Sequence, residues 1–203
     1  MGRHIAGFNL PLPPDWHWMP PVRQAPPGWQ TPMAERLVPP ESRTEEAVAV
    51  VAAQLESVYD TVSGLDIEGV STAVCAAPAL AGQLIGMMSM RDRTNTKLPD
   101  ILMEIAQITQ GDATTTYQSV DRFNAMVPAG QAAGAHVIMG TAATDELGQP
   151  INILEERIML GIEPPDCEDV VEITVMSSSL NSFTHMIEYF LALLQPLTIQ
   201  MKD

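Results

Sequence analysis

The sequence predicts an α+β protein: an antiparallel sheet packed against helices, behind an extended N-terminal arm rich in Pro and Trp. Three observations predict it. Apolar residues recur with period two in six stretches and at helical spacing in three. Short turns join neighbouring strands, where parallel pairs would need long crossovers. Ten of the 17 Pro (Pro11, Pro13, Pro14, Pro20, Pro21, Pro26, Pro27, Pro32, Pro39 and Pro40) and all three Trp lie within the first 40 residues.

The arm comes first. Proline removes N–H donors and restricts the residue before it, so residues 1–41 are expected to be extended and polyproline-like, without a helix. Residues 42–203 then form a single α+β domain, long enough to bury a sizeable core. Charge divides along the same line. Counted through Arg43, the arm carries Arg3, Arg23, Arg36 and Arg43 against Asp15, Glu35 and Glu41, or +1. The rest carries 6 basic and 22 acidic residues, or -16, within a total of -15 over 203 residues.

Ser42-Arg43-Thr44-Glu45 reads as a capping box. Behind it Val48, Val51, Leu55, Val58 and Val62 recur at helical spacing, with Glu45, Glu46, Gln54, Glu56 and Asp60 opposite, so a half-buried helix is expected over 44–61. Gly64 ends it. Strands follow over 67–76 and 80–91, turning at Ala77-Pro78, and Gly82 and Gly86 mark a bulge or a close backbone approach. Pro99 suits a first helical turn, and Leu98, Ile101, Leu102, Ile105 and Ile108 line the stripe of a second helix that Gly111 stops. A long strand is expected over 114–127, broken by Pro128-Ala129-Gly130. Three more follow over 135–142, 152–162 and 169–177, with a hairpin loop at 145–150 and a turn at Glu163-Pro164-Pro165-Asp166. In the last of these Val171, Ile173 and Val175 alternate with Glu172 and Thr174, which suits a sheet with one apolar face. A third helix is expected over 180–194, capped by Ser178 or Ser179, with Leu180, Phe183, Ile187, Phe190, Leu191 and Leu194 on its apolar face. Pro196 ends it, and Leu197–Gln200 adds a short strand.

This layout resembles the PsbP-like α/β/α sandwich, found also in LpqN-type proteins and in bacterial secretion chaperones. The resemblance covers about 65–200. It rests on the strand pair Gly69 to Met90, on Met126-Val127-Pro128, and on Val170 to Ser179 followed by the Phe-bearing helix and Leu197-Thr198-Ile199. It implies a module that binds other proteins or peptides. It brings no catalytic motif and no named functional residue.

Composition narrows the chemistry. A pI near 4.4 argues against nucleic acid, whose phosphates need a basic footprint. No apolar run reaches the length of a membrane span, so no membrane insertion is expected. The start lacks the pattern of a secretory leader, and Ala6 stands where a myristoylation site needs Ser or Thr, so a cytoplasmic location is expected. Cys75 and Cys167 are read as free thiols, Cys75 as a small core residue. His185 and Glu188, three apart, lack the second matching helix of a carboxylate metal site. Asp166, Glu168 and Asp169 lack the glycine and spacing of a calcium loop. His136 reads as a satisfied strand histidine. No nucleophile–base–orienter set or phosphate loop is present. The expectation is no catalytic residue, no metal and no cofactor. The 13 Met are read as core filler, or as the lining of an adaptable groove.

The expected function is therefore a non-enzymatic protein–protein interaction module, an adaptor or chaperone in a bacterial assembly or secretion system. It would dock through its arm and an acidic, Met-rich surface onto another protein or a second copy of itself. Trp16, Trp18 and Trp29 are the expected partner-binding anchors, since exposed indoles are costly and concentrate at binding hot spots. The same three can instead cover an apolar strip of their own body. Two alternatives belong to other classes: an acidic immunity or inhibitor protein for a basic toxin, and a small-ligand carrier or cryptic enzyme.

Overall fold

The computed structural model describes residues 3–64, 69–77, 80–112, 115–144, 148–177, 180 and 182–202. The chain runs β1 (His4–Asn9), β2 (Trp16–Trp18), α1 (Gln30–Leu37), α2 (Glu45–Gly64), β3 (Ser71–Ala77), β4 (Gln83–Arg93), α3 (Leu98–Ile108), β5 (Thr115–Val127), β6 (Gly130–Thr144), β7 (Pro150–Glu163), β8 (Val170–Ser177), α4 (Met186–Leu193) and β9 (Thr198–Lys202). Seven strands form one antiparallel sheet in the order β2-β3-β4-β8-β7-β6-β5, and β1 pairs with β9 in a second. This is the expected α+β class. Contacts divide the chain into a smaller unit, Leu12–Ser89, and a larger one, Met1–Pro11 with Met90–Asp203. That division differs from the expected one at 41/42. It splits the expected arm between the two units.

In the smaller unit the Pro-rich segment folds more than its composition suggests. Helix α1 forms because Met33–Val38 is free of proline, and because Pro32 falls in the first turn, where its missing N–H costs no helical bond. The helix stops at Val38, ahead of Pro39. Met33, Ala34, Leu37 and Val38 are buried with Met19, Trp29, Val51, Leu55, Val74 and Ala76 in one core. Helix α2 starts at Thr44, whose Oγ1 accepts the Ala47 N–H at 3.1 Å. The cap is thus Thr44 and not Ser42, which lies in a 3-10 turn over Pro40–Ser42. Of the two readings open for Gly82, a bulge or a close approach, the structure shows a close approach. Its φ is +78°, and a Cβ there would stand 2.7 Å from the Leu37 carbonyl oxygen.

In the larger unit β5, β6 and β7 form a meander, and β8 pairs with β7 from Glu156 to Ile162. Strand β6 begins earlier than expected because Pro128-Ala129 makes a tight turn and the strand resumes at Gly130. One sheet face, with Ala135, Val137 and Val170, packs against Ile101 and Ile105 of α3. The other face carries Ile158, Leu160, Ile162, Val171, Ile173 and Val175, all at most 1% exposed. Gly134 sits where β6 runs close to β7. A Cβ there would meet the Met159 carbonyl oxygen and stand 2.7 Å from Leu160 Cα. Helix α4 begins at Met186, later than expected, because His185 adopts a left-handed φ of +49° that a helix cannot continue through. The expected Ser178 or Ser179 cap lies outside the described residues, as do Pro78 and residues 145–147 of the hairpin loop.

Candidate partner-binding surface

The three Trp anchors fall into different settings within the smaller unit. Trp29 is buried in the α1–α2 core, its ring 5.3 Å from that of Tyr59. Tyr59 also stitches the Pro-rich segment to α2: its hydroxyl accepts the Arg23 N–H at 3.1 Å and lies 3.5 Å from the Pro21 carbonyl. Trp16 is 3% exposed and pairs across the sheet with Cys75. Trp18, opposite Ala73, is 38% exposed. His17, between the two indoles, is held below its ordinary pKa by burial and then by the charge of Arg36. Two indoles therefore cover their own chain, and Trp18 alone of the three presents substantial surface to solvent.

Helix α2 presents a different kind of surface. Over 20 residues it buries only Val51, Leu55 and Val62. Its first half contains Ala47-Val48-Ala49-Val50-Val51-Ala52-Ala53, seven apolar residues in a row. On a helix such a run wraps all the way round, and a helix apolar all round is ordinarily covered on every side. Here Ala49, Val50 and Ala53 are exposed, Val50 by 44%. Two grooves flank this ridge. The larger, about 430 Å³, has a floor of Val48, Ala49 and Ala52 and a rim of Thr31, Glu35, Arg43 and Glu45. The smaller, about 320 Å³, is lined by Ala47, Val50 and Val51 among others. Neither is lined by methionine. Helix α2 carries Glu45, Glu46, Glu56 and Asp60 and no basic residue. The result is an apolar ridge and groove set in a field of negative charge.

The remaining titratable groups read as structural. Met88, Met90, Met139 and Met186 are buried, while Met103 and Met126 are exposed by 56% and 74%. Both cysteines are free and buried. The Cys75 thiol lies 3.8 Å from an Asp15 carboxylate oxygen, and burial, then that charge and contact, push its pKa up to about 12. His136 Nε2 lies 2.9 Å from the buried Glu156, a partly buried pair on neighbouring strands. Arg91 and Arg93 both clamp Glu172, and Arg93 also holds Glu104. Asp169, 1% exposed at the side chain, accepts the Ile5 and Asn95 N–H groups at 2.8 and 2.9 Å and lies 3.0 Å from His4 Nδ1. It therefore fastens β1 to the loop ahead of α3, within the larger unit. His185 and Glu188 are exposed, with His185 just ahead of α4. Among the described residues no cluster of three or more His, Cys, Asp or Glu is arranged to hold a metal.

Fold and surface define an acidic α+β protein whose most unusual feature is an uncovered apolar helix face. Among the described residues no helix is long and apolar enough to cross a membrane. No family model matches the chain, and no curated protein matches it. Sequence reasoning placed the apolar face of α2 correctly at Val51, Leu55 and Val62 but passed over Ala49, Val50 and Ala53. The signal was present in the uninterrupted apolar run.

Proposed function

We propose that the protein is a non-catalytic interaction module, an adaptor or chaperone that takes up an apolar, basic-flanked segment of another protein on the N-terminal half of α2. The observation that carries this reading is the exposed Ala49, Val50 and Ala53 beside a groove floored by Val48 and Ala52, on a helix whose only charged residues are acidic. Apolar burial on that ridge supplies affinity, and the carboxylates steer a basic partner and set its orientation. The volumes alone would also suit a small ligand. The exposed ridge favours a longer partner that spans it, since a small molecule in one groove would leave it uncovered. Trp18 is a second contact in this reading, on the only one of the three indoles with substantial exposure. A place in a bacterial assembly or secretion system, and a cytoplasmic location, go with this reading and with the PsbP-like resemblance.

The test is affinity capture with the full chain and two exposed-site variants. Ala49→Arg fills the larger groove and cancels the net negative charge of its rim without disturbing a buried residue. Met103→Glu, on α3 of the larger unit, is the control. A partner held by wild type and Met103→Glu but lost from Ala49→Arg supports the proposal. A partner held equally by all three removes α2 from the mechanism.

A further inference from the structure

Strand β5 ends the seven-strand order, and among the described residues no strand pairs with its outer edge. Unpaired edges are normally blunted by charged side chains, lysine above all, and by proline, bulges or shortness. From Ser119 to Val127 β5 has no proline, lysine or bulge. Its only irregularity lies between Tyr117 and Ser119, and its two charges, Asp121 and Arg122, are adjacent and opposite. Met126 on this strand is 74% exposed, the most of any large apolar side chain among the described residues.

We propose that this edge pairs antiparallel with the same edge of a second copy, about a two-fold axis at Phe123. A second copy fits because the strand can face itself in a long register that sets no like charges opposite each other and brings its apolar residues together. A two-fold axis normal to a sheet keeps each face on its own side, so a residue meets one of its own face across the axis. An axis at Asp121 or Arg122 sets like charges opposite each other, which is unfavourable. An axis at Val120 runs into the bulge within two residues. An axis at Phe123 avoids both and pairs residues 119–127 throughout. It sets Phe123 against Phe123, Arg122 against Asn124, Asp121 against Ala125, and Met126 against Val120. The exposed methionine thereby gains an apolar neighbour, and the outer row of N–H and C=O groups is satisfied. An axis at Asn124 pairs only 121–127. The surface belongs to the larger unit and does not depend on the α2 proposal.

The experiment measures the mass of the full chain in solution by light scattering, from micromolar to millimolar concentration. Wild type is expected to reach twice its 22.0 kDa. Phe123→Asp and Phe123→Lys each place like charges across the axis and should run at the single mass. Their equal mixture places opposite charges there and should recover the doubled mass. Met126→Lys, at an exposed position, keeps the fold by circular dichroism and should also weaken the dimer, so the test stands even if Phe123 variants fold poorly. A wild type at single mass throughout overturns the proposal, as does a dimer that Met126→Lys and both Phe123 variants leave intact. Folded Phe123 variants whose mixture stays at single mass overturn the register.

Discussion

Removing the Asp169 carboxylate should loosen β1 from the rest of the larger unit. This side chain is 1% exposed and meets three donors from two distant segments: His4 and Ile5 in β1, and Asn95 between β4 and α3. Burial alone would raise its pKa. The hydrogen bonds from His4, Asn95 and Ile5, with the charge of His4, more than offset that and hold it below the ordinary value of 3.8. Asp169→Ala leaves two backbone N–H groups without their acceptor in a buried site. The expected cost is about 3–5 kcal/mol, the range for breaking a buried, hydrogen-bonded charge. Asp169→Asn keeps one acceptor oxygen but turns an amide against the remaining donors, so about 1–3 kcal/mol is expected. The unfolded carboxyl binds its proton at higher pH than the folded one. The carboxylate's contribution is therefore complete above the ordinary value and drains away as pH falls through the folded one. Urea unfolding followed by circular dichroism at neutral pH and in acid measures both effects. Hydrogen exchange at the Ile5 and Asn95 amides reads the site directly. An Asp169→Ala protein with an unchanged midpoint and unchanged protection at both amides would refute the reasoning.

Further consequences are open to the same measurements. Gly134→Ala puts a methyl against the backbone at Met159 and Leu160 and should cost more than about 2 kcal/mol, whereas Gly64→Ala, with nothing within 4 Å of the added carbon, should be neutral or slightly stabilising. Neither cysteine should react with a thiol reagent at mildly alkaline pH in the native protein, because both are buried and the Cys75 thiol is pushed up to about 12; both should react in denaturant. Glu172→Ala leaves Arg91 and Arg93 without their shared acceptor and should cost about 1–3 kcal/mol, while Glu104→Ala, at a carboxylate nearly half exposed, should cost under about 1 kcal/mol.

What the sequence disclosed followed from periodicity. Val171, Ile173 and Val175 announced β8, and Leu98, Ile101 and Ile105 announced α3, because alternation and helical spacing are local properties. The chain around Pro32 was harder. Proline density argues against helix on average, yet six proline-free residues, four of them apolar and buried, sufficed for α1 once Val51 and Leu55 could receive them. That stabilisation is tertiary and leaves no local mark. The same holds for Trp16 and Trp29, whose burial depends on β3 and α2. His185 misled the start of α4 because a left-handed residue inside an apolar pattern has no compositional signature. The α2 surface was half visible: its buried stripe was read from spacing, while the exposed ridge required knowing which sides of the helix nothing covers.

The most direct test of the interaction proposal is site-specific photo-crosslinking. A photoreactive residue at position 49 in the larger α2 groove should crosslink to the captured partner, with a yield that falls as salt screens the surrounding carboxylates. The same residue at position 103 should not. Crosslinks from position 103 and none from position 49 would contradict the account.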